Sequence, residues 1–358
     1  MLLKRRLPVL FACFIFLFCM FAPLHAGAAI TEYNVPTAGS FPVAIVAGPD
    51  GNLWFTEASG NKIGMITTDG VITEFPIPTV NSRPTRITLG PDGNLWFAEN
   101  LGNKIGRITP AGVIDEFVIP TANSRPVGIH AGSDGNIWFA EFNGNKIGRI
   151  TMAGAITEFP LPVPGSEPAG LTAGPDGNLW FTEDSGNSIG MITTAGAISE
   201  FPIPTAGAQP TRIVAGPDGN LWFSETSGNK IGRITTAGAI TEFPIPTFGS
   251  LTNDITVGPD GNLWFTEVVG NKIGQITLTG VITEFPLPAG PGNPSGITLG
   301  PDGNLWFTEQ SGNQIAKLSL ALGGSGVVVP TMSEWGMIIF MGLAGLGSLY
   351  FLKRRQAV

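Results

Sequence analysis

Gly48-Pro49-Asp50-Gly51-Asn52-Leu53-Trp54-Phe55-Thr56-Glu57 is the stretch on which the fold turns, because near-copies of it return at an unbroken spacing of 42 residues. Its tryptophan recurs as Trp96, Trp138, Trp180, Trp222, Trp264 and Trp306, and a fixed period of that size is the mark of a repeat architecture. Working outward from Trp54, one period holds four short β-rich pieces. They run from Pro42 to Gly48, Asn52 to Glu57, Lys62 to Thr67 and Val71 to Ile77. Turn residues separate them: Pro49-Asp50-Gly51, Ser59-Gly60-Asn61 and Thr68-Asp69-Gly70. Pro76 and Pro78 suit an outer edge, where a missing amide donor does no harm. Four strands per period of about 40 residues is one propeller blade.

Closure of the ring is written at the two ends of the repeat region. The motif I-T-E-F, with variants, begins at Ile72, Ile114, Ile156, Ile198, Ile240 and Ile282, and no copy follows Leu320. A lone copy, Ile30-Thr31-Glu32-Tyr33, stands 42 residues upstream of its neighbour. The N-terminal strand is therefore expected to complete the last blade and remove an open edge. The fold expected is all-β, a seven-bladed β-propeller over residues 29–322.

Within each block, Trp, Leu and Phe alternate with polar residues and are expected to pack between blades. The Asp-Gly turn reads as hairpin chemistry, since it lacks the further spaced carboxylates that calcium needs. Glu57, Glu99, Glu141, Glu183, Glu225, Glu267 and Glu309 form a ring of carboxylates. Such a ring either binds a cation or does one structural job in every blade, such as accepting N–H groups from the G-N turn.

The two ends carry addresses. Residues 1–28 read as a signal peptide, with Lys4, Arg5 and Arg6, an apolar run from Leu7 to Phe21, and a signal peptidase site at Ala26-Gly27-Ala28. Both cysteines, Cys13 and Cys19, and His25 lie inside it, so the processed chain keeps one histidine, His130, and no thiol. Residues 323–329 are a Gly/Ser linker, and residues 330–358 contain an apolar run from Met337 to Leu352 ahead of Lys353-Arg354-Arg355. Val329-Pro330-Thr331-Met332-Ser333-Glu334-Trp335-Gly336 resembles the I-P-T-L-x-x-W-G sorting signal of Gram-negative bacteria. That resemblance implies an exosortase-type protease as a processing partner and a surface or extracellular destination, with Pro330, Thr331, Trp335 and Gly336 as its recognised residues. The other reading of the tail is a plain single-pass anchor. Without both ends the body holds 13 basic against 26 acidic side chains, an unsuitable surface for nucleic acid. A monomeric propeller touching membrane only through its tail is expected.

The block G-P-D-G-N-L-W-F-T-E followed by G-N-K-I-G-R-I-T resembles the streptogramin B lyase (virginiamycin B lyase) family across all seven repeats. The resemblance implies a seven-bladed propeller and elimination chemistry that opens a cyclic depsipeptide at its ester with magnesium. It further implies a site made of a glutamate on the loop entering an inner strand, a histidine two positions later, and the W-F-x-E glutamate of the same blade. A second histidine is implied on an adjacent blade. The first loop position reads Phe41, Arg83, Arg125, Glu167, Gln209, Leu251 and Asn293, so Glu167 fits the acidic role, with Glu183 in its blade. The histidine position reads Val43, Thr85, Val127, Ala169, Thr211, Asn253 and Ser295, with no histidine in any copy. Glu167, Glu183 and His130 are thus the catalytic candidates, with His130 or an arginine substituting for the family's histidine. His130 reads equally as a channel-lining or core histidine.

Where the copies disagree, symmetry is broken and a ligand site can be built. The position before the inner Ile or Leu reads Ala44, Arg86, Gly128, Gly170, Arg212, Asp254 and Gly296. Arg86, Arg212 and Asp254 are expected near the channel, with Arg83, Arg125 and Glu167 on the loops above and Asn253 beside Asp254 at the mouth. A mixed-charge mouth suits a small polar or zwitterionic ligand, or is an ordinary solvated funnel. Two functions remain open: an exported binding module, or a magnesium-dependent carbon–oxygen lyase.

Overall fold

The computed structural model describes residues 29–288, 290 and 292–320. The expected signal peptide with Ala28, the expected linker, and the expected sorting tail with Pro330, Thr331, Trp335 and Gly336 lie outside the described residues. Seven four-stranded antiparallel sheets follow one another along the chain. In blade one the strands run Pro42–Ala47, Leu53–Glu57, Lys62–Ile66 and Ile72–Pro76 from the channel outward. Blade seven takes Pro294–Leu299, Leu305–Glu309 and Gln314–Ser319, and its outer strand is the N-terminal Ala29–Asn34. That strand pairs in register from Ala29 opposite Ser319 to Asn34 opposite Gln314, so the ring closes as the repeat count requires.

Each tryptophan packs into the neighbouring blade. Trp54 clusters with Leu95, Phe97 and Ile108 of blade two, and all four are fully buried. Within its own blade Trp54 stacks on Phe75 at 5.5 Å between ring centres. The glycine of K-I-G is required by this packing, since a Cβ on Gly64 would lie 2.1 Å from the Phe55 ring. The indole N–H finds its partner in the turn, as Trp54 Nε1 donates to Asp50 Oδ1 at 3.1 Å. Each of the other six blades repeats this bond. Asp50 therefore does more than shape a hairpin: it satisfies a donor that would otherwise be buried unpaired.

The W-F-x-E glutamates do not cap the G-N turn. Its amides go to backbone instead, with Ser59 and Gly60 N–H donating to Ser40 O. Among the described residues both carboxyl oxygens of Glu57, Glu99, Glu141, Glu225 and Glu267 are buried without a well-formed hydrogen bond, although Ser40 and Glu74 lie close to Glu57. Burial first, and then the neighbouring Glu74 charge, push Glu57 up to about 7. The same causes take Glu99, beside Glu116, to about 8.

Candidate functional site

The mouth is built by one backbone device used seven times. The residue entering each inner strand sits in the left-handed region, from Phe41 (φ 57°) through Arg83 and Arg125 (φ 51°) and Glu167 (φ 54°) to Asn293 (φ 51°). A non-glycine residue there is uncommon, and each is held by a backbone bond from the residue after W-F-x-E. Asn100 N–H donates to Arg83 O, Phe142 to Arg125 O, and Asp184 to Glu167 O, at 3.1–3.2 Å. Each blade thus sets two variable side chains side by side at the rim.

Arg83, Arg125, Arg212, Asn100, Phe142, Asp184 and Asn253 share the lining of a mouth cavity of about 300 Å³. Neither Arg83 nor Arg125 has a carboxylate within ion-pair distance among the described residues. Asn253 Nδ2 donates to Ser295 Oγ at 2.8 Å, which fixes its amide. Burial, and next the charge of Glu167, raise the Asp184 carboxyl above its ordinary value.

An ion pair crosses the channel between blades two and six. Arg86 Nη1 lies 2.6 Å from Asp254 Oδ2, and Arg212 Nε lies 3.7 Å from Asp254 Oδ1. Asp254 is also held by backbone, accepting from Ile255 N–H at 3.1 Å and Ile297 N–H at 3.2 Å. On the crowded side of the channel the same position is glycine, because a Cβ on Gly128 would lie 2.1 Å from Ala169 O. A second cavity, about 190 Å³, is lined by Arg86, Arg212, Asp254, Thr88, Thr172 and His130. His130 Nδ1 lies 2.8 Å from Ala131 O, an acceptor, so the proton sits on Nδ1. Burial lowers its pKa and keeps the ring neutral.

Of the expected mouth residues, Arg83, Arg125, Arg212 and Asn253 line the mouth cavity, whereas Arg86 and Asp254 line the channel cavity, which Arg212 also touches. The catalytic candidates are not gathered in this way. Glu167 is half-buried and accepts from Ser185 Oγ. Glu183 is 1% exposed, with Oε1 unpartnered, and burial pushes it up to about 7. Neither is among the residues lining the mouth cavity, and His130 belongs to the channel cavity. Sequence reading missed Asp184, Asn100 and Phe142. Their signal was available, since the position after W-F-x-E reads Ala58, Asn100, Phe142, Asp184, Thr226, Val268 and Gln310.

Magnesium calls for oxygen donors with carboxylate charge. Among the described residues no three of His, Cys, Asp and Glu come together as a metal site. The mouth cavity offers Arg83, Arg125 and Arg212 against Asp184. The residues present do not fit the ion.

The repeats match the virginiamycin B lyase family over residues 22–193 and 161–331. The chain belongs to that family. Among solved structures, a streptogramin B lyase shares 43% identity, covering 82% of this chain and 98% of that one, with a TM-score of 0.79. A catalytically inactive histidine-to-alanine variant of virginiamycin B lyase from Staphylococcus aureus, solved with quinupristin, shares 45% identity. The likeness covers 82% of this chain and all of that one, again with a TM-score of 0.79. Virginiamycin B lyase of Bacillus licheniformis is 49% identical over 41 residues, 12% of this chain and 14% of that protein. This member of the virginiamycin B lyase family keeps the propeller, and its one histidine among the described residues faces the channel cavity.

Proposed function

We propose that this virginiamycin B lyase family member is an exported propeller that binds a small polar or zwitterionic ligand, or such a group on a surface component, in its mouth cavity. The observation that carries this reading is the pair of unpaired guanidiniums, Arg83 and Arg125, on adjacent blades lining one cavity that Arg212 also lines. A guanidinium without a carboxylate partner recognises an anionic group by charge-assisted, often bidentate, hydrogen bonds. Asp184 and Asn253, which line the same cavity, suit the polar or cationic end of the ligand. The test is calorimetric titration of the purified protein with zwitterionic amino acids and small dicarboxylates. Binding that weakens roughly tenfold or more in Arg83→Ala/Arg125→Ala supports the reading, on the scale of one lost charge-assisted contact. Equal binding by that variant, or no binding across the panel, sinks it.

Export rests on the signal peptide at residues 1–28 and on the sorting-type tail at residues 330–358. Mass spectrometry of the native protein should find a start near Ala29 and loss of the segment after about Pro330. Recovery of the tail through Val358 would replace sorting with simple anchoring.

The family itself favours a second reading, a carbon–oxygen lyase that uses Glu167 and Glu183 with His130 or an arginine. Incubation with quinupristin and magnesium, followed by mass spectrometry, separates the two. A linear product of unchanged mass establishes elimination. Intact cyclic antibiotic, beside an authentic lyase that opens it, leaves the binding reading standing.

A further inference from the structure

Five blades close their outer rim with the same three side chains. Lys62 Nζ lies 2.6 Å from Glu74 Oε2 and donates to Thr37 Oγ1. Lys104, Lys146, Lys230 and Lys272 repeat this with Glu116, Glu158, Glu242 and Glu284 at 2.7–2.8 Å. In each of these blades the ammonium also faces the buried W-F-x-E carboxyl, as Lys62 does Glu57. One internal cation thus serves two carboxyl groups.

Blade seven keeps both carboxyls, Glu309 and Glu32, but carries Gln314 in the lysine position. The Gln314 amide is engaged elsewhere, with Nε2 donating to Asn34 Oδ1 at 3.1 Å. Glu309 is 2% exposed, and no hydrogen bond or ion pair reaches it among the described residues. A cavity of about 250 Å³ opens here, lined by Glu32, Glu309, Gln314, Ser311 and Gly292. It shares no lining residue with the mouth cavity. A buried carboxyl facing a second carboxyl across a cavity favours a cation that neutralises both.

We propose that blade seven takes the ammonium group of a small primary amine into this cavity, between Glu32 and Glu309, in the role that lysine fills in the five sister blades. The alkyl part would lie in the cavity beside the Gln314 side chain, and Glu32, which is exposed, marks the entrance.

The test uses thermal unfolding of the intact protein in n-butylammonium chloride, a free copy of the missing side chain. Sodium, tetramethylammonium and calcium chlorides at matched ionic strength are the controls. Butylammonium should raise Tm by on the order of 2 °C over sodium, and tetramethylammonium, which has no N–H donor, should not. The shift should vanish in Glu309→Gln. Gln314→Lys should raise Tm by itself and no longer respond, which keeps the test sharp if Glu309→Gln folds poorly. Blade four also lacks the lysine, with Ser188 in its place, so the two blade-seven variants assign the site. Equal shifts in all salts, a larger shift with calcium, or a butylammonium shift that persists in Gln314→Lys each overturn the proposal.

Discussion

Arg86 and Asp254 meet across the central channel, Nη1 to Oδ2 at 2.6 Å, although 168 residues separate them in the chain. Their inner strands belong to blades two and six, which are not neighbours, so the pair spans the opening rather than a blade interface. Both residues line the cavity that holds His130, and Arg212 lines this cavity and the mouth cavity alike.

Truncating one partner should cost far more than replacing both. Arg86 is 7% exposed, and Asp254→Ala leaves its guanidinium buried with no counter-charge. The expected loss is about 3 kcal/mol, read as a lower urea midpoint, whereas Arg86→Met/Asp254→Leu should lose less, since only Arg212 is then left without Asp254. An Asp254→Ala variant as stable as the parent would mean that water already compensates the charge.

The indole acceptors give a second, acid-sensitive test. Burial alone would raise the Asp92 carboxyl, but hydrogen bonds from Asn94 and Trp96 outweigh it and hold the group below its ordinary value. A depressed folded value means stability that is present above the unfolded pKa, near 4, and lost as pH falls through the folded one. Asp92→Ala should cost about 2 kcal/mol at neutral pH, because the Trp96 N–H loses its acceptor. It should also flatten the acid limb of a Tm-against-pH curve. An unchanged acid limb would show that Asp92 does not contribute to it.

The ring was legible because its signals are positional. Seven tryptophans at one spacing fix the blades, and Ile30-Thr31-Glu32-Tyr33 displaced to the front fixes the closure. Arg83, Arg86, Arg125, Arg212, Asn253 and Asp254 were legible for the opposite reason, since they break the repeat at positions that face the axis. The burial of Glu183 was not legible, because motif identity says nothing about exposure: it ends a strand buried along its whole length, while Asp184, one residue on, lines the mouth cavity. The true partners of the tandem carboxyls were hidden as well. Glu57 and Glu74 approach one another across strands joined by Lys62, a relation that spacing alone does not reveal.

Those carboxyls predict an unusual alkaline limb. Burial first, and a neighbouring glutamate in most blades, raise Glu57, Glu183, Glu267 and Glu309 to about 7 and Glu99, Glu141 and Glu225 to about 8. A raised folded value means the folded chain holds protons that the unfolded chain has already released. The stabilisation is full below the unfolded pKa, near 4.3, and disappears as pH rises through about 7 to 8. Tm should therefore be lower at pH 8.5 than at pH 5.5, and Glu99→Gln, which cannot ionise, should narrow the gap. Equal Tm at the two pH values would mean that the carboxyls are hydrated or paired in solution.

Closure of the ring makes the last prediction. Tyr33 stacks on Trp306 at 5.7 Å, where the other six blades stack phenylalanine on tryptophan at 5.2–5.6 Å. The Tyr33 hydroxyl makes no hydrogen bond among the described residues, so Tyr33→Phe should leave stability within about 0.5 kcal/mol of the parent. Tyr33→Ala removes the half-buried ring from the core of the clasp blade and should cost about 2–3 kcal/mol. Deleting residues 29–34 goes further, because it bares the Gln314–Ser319 strand as an unpaired edge. Light scattering should then report concentration-dependent association that the parent lacks, as expected for an uncovered edge strand. A deletion variant that stays monodisperse with unchanged Tm would show that the ring holds without its clasp.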